Sequence, residues 1–345
     1  MKAVTEQEVT SKSWSTLDQR QRGARFISLP IASVLNSPAQ TGMDFWSVNP
    51  YVGCEFGCSY CYARFTHQYV TERASAHRGD TASPPAAPWT DDDFERNIFV
   101  KAGAAELLAL TLRPARLGGH AVVVGTATDP YQPAERTFRL TRRVLETLAQ
   151  YHGLDVGIIT KSPLVTRDID VLTKLAERSA VTVNVSLIAT DVDLVRRLEP
   201  RTPMPAVRLK ALERLVTAGI YAGVIMAPVV PGVSDDVPRL TAMVQAAKDA
   251  GARFIHAHPL RLYANVRRRF LPVVAEHWPA LVPRYEKAFD ARGGGIVTPA
   301  YAAALSRRMG KIRRALGMSD GRTPASGQRR TEGWPEVVQQ ELQLG

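Results

Sequence analysis

Cysteine is scarce in this chain of 345 residues: there are three, all within the eight residues from Cys54 to Cys61. An odd number crowded into one short segment excludes a disulfide framework and suits a metal site in a reducing compartment. Long apolar runs are also lacking, and none approaches the roughly 20 residues a membrane-spanning helix needs. The opening stretch, MKAVTEQEVTSKSWSTLDQR, is polar and carries no apolar core of the signal-peptide kind. The expectation is a cytoplasmic protein that makes no use of a membrane. No internal repeat or low-complexity array is visible. Acidic residues are outnumbered, 33 against 44 Lys and Arg, for a net charge of +11. A basic surface attracts polyanions such as nucleic acid through a long-range, salt-sensitive field, although solubility alone also accounts for such an excess. What remains is ordinary globular composition, 45% hydrophobic and 22% charged. It is enough for one large α/β domain with additions, or for two average domains.

From residue 121 onward the chain alternates. β-branched runs fall at Ala121–Val124, Val156–Ile159, Val181–Val185, Val224–Met226 and Phe254-Ile255. Between most of them lie helical patterns, at Thr137–Gln150, Arg167–Glu177, Val207–Ala218 and Val237–Ala250. The last two are followed by Gly219 and Gly251, a common helix stop. Strands alternating with helices imply parallel βαβ units. With the apolar run Phe45–Val48 as first strand, the prediction is an α/β fold, a partial (β/α)6 TIM-type barrel with extra helices at both ends. An open doubly wound sheet is the alternative. The expected division is an N-terminal extension at 1–40, the barrel at 41–262, a C-terminal helical extension at 263–318 and a mobile tail at 319–345. Residues 74–93, rich in Pro, Ala, Ser and Asp, read as an exposed loop, and 94–112 as a helix.

The three cysteines sit in Asn49-Pro50-Tyr51-Val52-Gly53-Cys54-Glu55-Phe56-Gly57-Cys58-Ser59-Tyr60-Cys61-Tyr62-Ala63-Arg64, a C-x3-C-x2-C spacing directly after the first predicted strand. Three thiolates on a short glycine-containing loop can each take one iron of a cubane cluster. With no fourth cysteine in the chain, one iron is left open to a small chelating ligand. The competing reading is a Cys3His zinc site with His67 as fourth ligand, although zinc knuckles usually pair C-x2-C units.

This pattern resembles the signature of the radical S-adenosylmethionine (radical SAM) superfamily. With Thr66-His67 and the segment Gly125-Thr126-Ala127-Thr128-Asp129-Pro130-Tyr131-Gln132-Pro133-Ala134-Glu135, it is similar to the branch of spore photoproduct lyase, the DNA repair photolyase-like proteins, over about residues 45–262. The resemblance implies a [4Fe–4S] cluster on Cys54, Cys58 and Cys61, with S-adenosylmethionine on the open iron. It further implies an external flavodoxin- or ferredoxin-like electron donor, and a 5′-deoxyadenosyl radical that abstracts hydrogen from substrate. By the same resemblance Tyr60 packs near the adenine. Thr128 and Asp129 after the second strand serve the cofactor's amino group, Lys161 after the third its carboxylate, and Ser186 after the fourth its ribose or carboxylate side. Each also has a plainer reading: Lys161 as a surface lysine, Ser186 as a helix cap, Asp129 as a turn former before proline.

The resemblance has two departures, the lesser being Asp129 where Glu is more usual. Spore photoproduct lyase uses a further cysteine near the end of the second strand to return a hydrogen atom to its product, and Thr126 stands at that place. A hydroxyl holds its hydrogen too strongly to substitute, so repair of that lesion by that route is not expected. Tyr62 and Tyr131 are candidate catalytic radical relays, or packed aromatics. Basic residues gather at Arg267–Arg269 and at Arg307, Arg308, Lys311, Arg313 and Arg314, either a solvated surface or a phosphate-tracking patch. Three readings follow: a radical SAM enzyme acting on nucleic acid, one acting on a protein, peptide or metabolite, and a non-catalytic zinc-containing nucleic-acid-binding protein.

Overall fold

The computed structural model describes residues 16–19, 23–68, 70, 93–289 and 294–318. Residues 74–92 of the expected loop and the expected tail at 319–345 lie outside them. Three short strands come first, β1 (Thr16–Gln19), β2 (Arg25–Ser28) and β3 (Leu35–Asn36), with a helical turn α1 (Pro38–Thr41). The six predicted barrel strands are β4 (Trp46–Val48), β7 (Val122–Val124), β8 (Asp155–Thr160), β9 (Ala180–Ser186), β10 (Tyr221–Val229) and β11 (Ile255–Pro259). They form a sheet in the order β11-β10-β9-β8-β7-β4-β3, parallel throughout except for β3, which runs antiparallel along β4. One pass of right-handed βα units lays strands side by side in chain order, which is the partial barrel rather than a doubly wound sheet.

The helices are α2 (Ala104–Thr111), α3 (Leu140–Leu148), α4 (Ile169–Ala176), α5 (Val192–Leu198), α6 (Pro205–Thr217), α7 (Val237–Asp249), α8 (Ala264–His277), α9 (Val282–Ala288) and α10 (Pro299–Ala315). One face of the sheet (Val122, Val124, Val156, Ile158, Val181, Val183, Val185) packs on Leu108, Val144, Leu145, Leu172, Leu175, Leu212 and Leu215 of these helices in the main core. Fully burying each such side chain stabilises by about 1.5–3 kcal/mol. Alternation puts Val123, Gly157, Thr182 and Asn184 on the opposite face, where Gly157 lies beside Val123. Gly219 and Gly251 end α6 and α7 with φ of +83° and +77°, as their positions implied.

Two regions depart from expectation. Within 94–112, β6 (Asn97–Val100) precedes α2, because Asn-Ile-Phe-Val is buried along its whole length and pairs on both edges. With β5 (Tyr51–Val52) it completes a second sheet, β1-β2-β6-β5. Cross-chain pairing overrides the local helical pattern there. The described residues of the N-terminal end, which showed little pattern and was expected to add helices, contribute mainly strands to both sheets, with the turn α1.

Candidate functional site

The cysteine loop leaves β5 and turns at Gly53, whose φ of +87° is open to glycine. A Cβ there would stand 2.8 Å from the carbonyl oxygens of Asn97 and Phe94 and 2.9 Å from His67 Nε2. The backbone is therefore pressed against β6. Cys54 N–H donates to Phe94 O (2.9 Å) and Ser59 N–H to Leu198 O (2.9 Å), which ties the loop to the second sheet on one side and to the end of α5 on the other. A strap crosses from the second barrel strand: Thr128 Oγ1 (2.6 Å) and Gln132 Nε2 (3.0 Å) both donate to Gly53 O, and Glu55 N–H donates to Gln132 Oε1 (3.0 Å). Gln132 is fully buried. Arg64, also buried, donates to Cys58 O (3.3 Å) and pairs with Glu95.

Within this frame Cys54 and Cys58 are buried, Cys61 is half-buried, and all three are free thiols. Burial raises the pKa of each, that of Cys58 to about 12. A thiol so placed becomes a thiolate only when a cation compensates its charge, and thiolates of this kind are the donors an iron–sulfur cluster asks for. Among the described residues no group of three or more His, Cys, Asp or Glu side chains is gathered to hold a single metal ion. His67 is in no such group with the thiols. It is buried with its ring 5.2 Å from Phe94 and 5.4 Å from Phe99, and burial lowers its pKa to about 4. The donor set fits a cluster better than a Cys3His zinc site.

Residues from successive strand ends meet the loop, at the carboxyl end where ligands of parallel folds collect. Lys161 Nζ donates to Ser186 Oγ (3.1 Å) and lies 5.8 Å from the centre of the Tyr60 ring. Burial opposes its charge, but Cys58 and Glu199 outweigh that and hold its pKa above the ordinary lysine value. Asp129 accepts from Thr160 Oγ1 (2.7 Å), Lys161 N–H (2.6 Å) and Tyr131 N–H (2.9 Å), so it does form the turn. Burial nevertheless raises its pKa. A carboxylate offers about four acceptor positions, so one remains for a ligand. Thr128 is spent on the strap.

Tyr62 and Tyr131 part company. Tyr62 is 36% exposed, its hydroxyl donates to Thr126 O, and burial of that end raises its pKa to about 12. Tyr131 is fully buried in the main core with Arg167 over its ring, a packed aromatic. Thr126 accepts from Asn49 Nδ2 (3.0 Å), and Asn49 Oδ1 in turn accepts from Ala127 N–H (2.8 Å). Asn49, Tyr62, Thr126 and Ala127 line a cavity of about 440 Å³ beside the first barrel strand, with residues between Leu29 and Met43 also in its wall. Among the described residues its lining includes Lys101 and no carboxylate.

A buried network unforeseen in the sequence supports the site from α5 and α6. Glu199 accepts from the hydroxyls of Tyr60 and Thr202 and pairs with Arg208, which also donates to Ser186 O (3.0 Å). Glu199 and Arg208 are both fully buried. Of the basic clusters, Arg267 donates to Phe289 O, Arg308 to Asp235 O and Arg313 to Ile255 O. Arg307, Lys311 and Arg314 stay exposed, at i, i+4 and i+7 on one face of α10.

The family model of the radical SAM superfamily matches residues 48–243, more than half of the chain. An uncharacterized protein of Mycobacterium tuberculosis (strain H37Rv) is 32% identical over 292 residues, spanning 84% of this chain and 80% of its own length. The chain belongs to the radical SAM superfamily, and the fold is the partial barrel that goes with it. A second relative, an uncharacterized protein of Methanocaldococcus jannaschii, is 27% identical over 188 residues, 54% of this chain and 61% of that protein. Among solved structures, spore photoproduct lyase complexed with dinucleoside spore photoproduct superposes with a TM-score of 0.59 over 84% of this chain and 79% of the lyase. At 12% identity that likeness is one of fold. Membership implies a [4Fe–4S] cluster and S-adenosylmethionine, and enzymes of this class commonly draw on an external reductant. Among the described residues no helix is long and apolar enough to cross a membrane.

Proposed function

We propose that this radical SAM enzyme holds its [4Fe–4S] cluster through Cys54, Cys58 and Cys61, and that S-adenosylmethionine lies between the cluster and the ends of the second to fourth barrel strands. The carrying observation is the convergence of Lys161, Ser186 and the Tyr60 ring on one side of the cysteine loop. When bound, the two cofactors supply a 5′-deoxyadenosyl radical by one-electron cleavage of the sulfonium. The chain's part is positional. Lys161 pairs with the carboxylate of the ligand, Ser186 offers a hydroxyl, Asp129 gives its remaining acceptor to the amino group, and Tyr60 lies against the adenine. Tyr62, on the wall of the 440 Å³ cavity, stands where a substrate would meet the radical and is the catalytic candidate. Calorimetric titration of the reconstituted, anaerobic protein with S-adenosylmethionine tests the assignment. Lys161→Ala is expected to weaken binding about tenfold or more, as loss of a charge-assisted bond worth about 1.5–3 kcal/mol requires. Equal affinity in the variant contradicts it.

Nucleic acid is the leading substrate class. It is supported by the net charge of +11 and the exposed stripe of Arg307, Lys311 and Arg314, and the lyase of like fold holds a dinucleoside photoproduct. Contact of three cations with three phosphates gives a slope of log K against log salt of about −2.7. Oligonucleotide binding that ignores salt, or no binding, overturns this choice. Thr126 leaves no thiol for the hydrogen-return step of the lyase, so repair of spore photoproduct by that route is not expected; efficient repair by the purified protein would contradict that expectation and leave the nucleic-acid choice standing. One observation favours a protein, peptide or small-molecule substrate instead: the cavity lies within the roughly 300–1,000 Å³ of small-ligand sites.

A further inference from the structure

The chain has three cysteines, all in one loop, so it carries no further cysteine ligands for a second cluster that would relay electrons inward. Each electron must reach the loop from outside, and tunnelling weakens exponentially with distance, so the partner must dock where the loop is thinly covered. Gly57, the residue before Cys58, is buried. What lies over it is the guanidinium of Arg201, whose Cζ would be 3.0 Å from a Cβ at this position. Arg201 is itself exposed. An exposed side chain thus lies directly against the backbone beside Cys58.

The surroundings carry the same charge. Arg196 and Arg197, at the end of α5, are exposed like Arg201. Arg196 is held in place by the carbonyls of Pro200 (3.0 Å) and Thr202 (2.9 Å). Arg197 lies 5.8 Å from the centre of the Trp278 ring. The segment bearing these cations also grips the loop, through Leu198 O to Ser59 and Glu199 to Tyr60. The carboxylates of α5, Asp191 and Asp193, sit at its opposite end, and Asp191 is occupied with the cap. Glu276, two residues before Trp278, is exposed and lies 3.8 Å from His277.

We propose that the surface formed by Arg196, Arg197, Arg201 and Trp278 is the docking site of a small acidic electron-carrier protein. This deepens the cluster assignment and rests on it. One electron leaves the reduced carrier and enters the cluster; no bond forms and no proton moves. Complementary charge guides such encounters and sets their salt dependence.

The probe is a purified bacterial flavodoxin, labelled for anisotropy and titrated with the apo and the reconstituted protein at low salt. Arg197→Glu/Arg201→Glu is expected to weaken binding about tenfold, and to slow flavodoxin-driven but not dithionite-driven 5′-deoxyadenosine formation. Arg197→Lys/Arg201→Lys, which keeps both charges, is expected to bind as the parent does. Unchanged flavodoxin affinity after charge reversal overturns the docking site, as does an equal fall of the dithionite-driven rate, which would show damage to the cofactor site. A parent protein that makes no 5′-deoxyadenosine with dithionite overturns the cluster assignment instead, while the anisotropy comparison on apo protein still decides the surface.

Discussion

Removing the Glu199 carboxylate leaves a guanidinium stranded in the interior. Arg208 and Glu199 are both fully buried, and Arg208 would keep only neutral acceptors, Ser186 O (3.0 Å), Pro203 O (2.8 Å) and the Thr202 hydroxyl. Breaking a buried pair by deleting one partner costs about 3–5 kcal/mol, whereas replacing both with apolar groups of similar volume is often neutral. Glu199→Ala should therefore lower the stability of the apo protein by about 3–5 kcal/mol. Tyr60→Phe, which removes one hydrogen bond to a charged acceptor, should lower it by about 1.5–3 kcal/mol. The pair Glu199→Leu/Arg208→Met should recover most of the loss. The assay is urea unfolding followed by tryptophan fluorescence, read as a double-mutant cycle. A loss under about 1 kcal/mol for Glu199→Ala, or simple additivity in the double variant, would refute the reasoning. The sign with pH follows too. Burial raises the Glu199 pKa, but the charges of Arg208 and Lys161 and the hydrogen bonds outweigh it, and the net value is lowered. Its stabilisation is thus present above the ordinary glutamate pKa of about 4.3 and is lost as pH falls through the depressed folded value.

Other outcomes follow from the same geometry. His67 stays neutral in the fold down to about 4, while the unfolded chain takes up its proton near about 6.5. Stability should drop across that window as pH falls, by about 3 kcal/mol at most; His67→Leu should flatten the dependence in urea titrations at several pH values. Gly53→Ala should cost about 1–3 kcal/mol in backbone strain alone and abolish iron uptake, checked by iron analysis after reconstitution. Gln132→Ala, which removes one of the two bonds to Gly53 O and the bond from Glu55 N–H, should cost about 0.5–1.5 kcal/mol per lost bond. It should also speed loss of iron to a chelator.

The barrel was legible because its signals are local. Valine-rich runs, helical periods and the glycines after α6 and α7 each report on a few consecutive residues, and the parallel order follows from their alternation. The second sheet was not legible. Asn97–Val100 becomes a strand through pairing with β2 and β5, and nothing in the local pattern of 94–112 announces those partners. The site divides in the same way. The cysteines, Lys161 and Ser186 stand in or just after strand ends, where position alone marks them. Gln132 lay inside a quoted motif, but its strap to Gly53 and Glu55 depends on a turn visible only in three dimensions. Glu199 and Arg208 belong to no motif, and their role arises where α5 and α6 bring them under Tyr60 and Ser186. Of the basic run on α10, Arg307, Lys311 and Arg314 face outward as a surface, while Arg308 and Arg313 donate to carbonyls, a use that the run of charges does not announce.

The central claim is that the cysteine loop holds a cluster that cleaves S-adenosylmethionine, and one assay meets it directly. The protein is reconstituted anaerobically with iron and sulfide, reduced with dithionite in the presence of S-adenosylmethionine, and its products are separated by chromatography. The account requires 5′-deoxyadenosine from the parent chain and none from Cys58→Ala. A colourless protein that binds one zinc and yields no 5′-deoxyadenosine would contradict it.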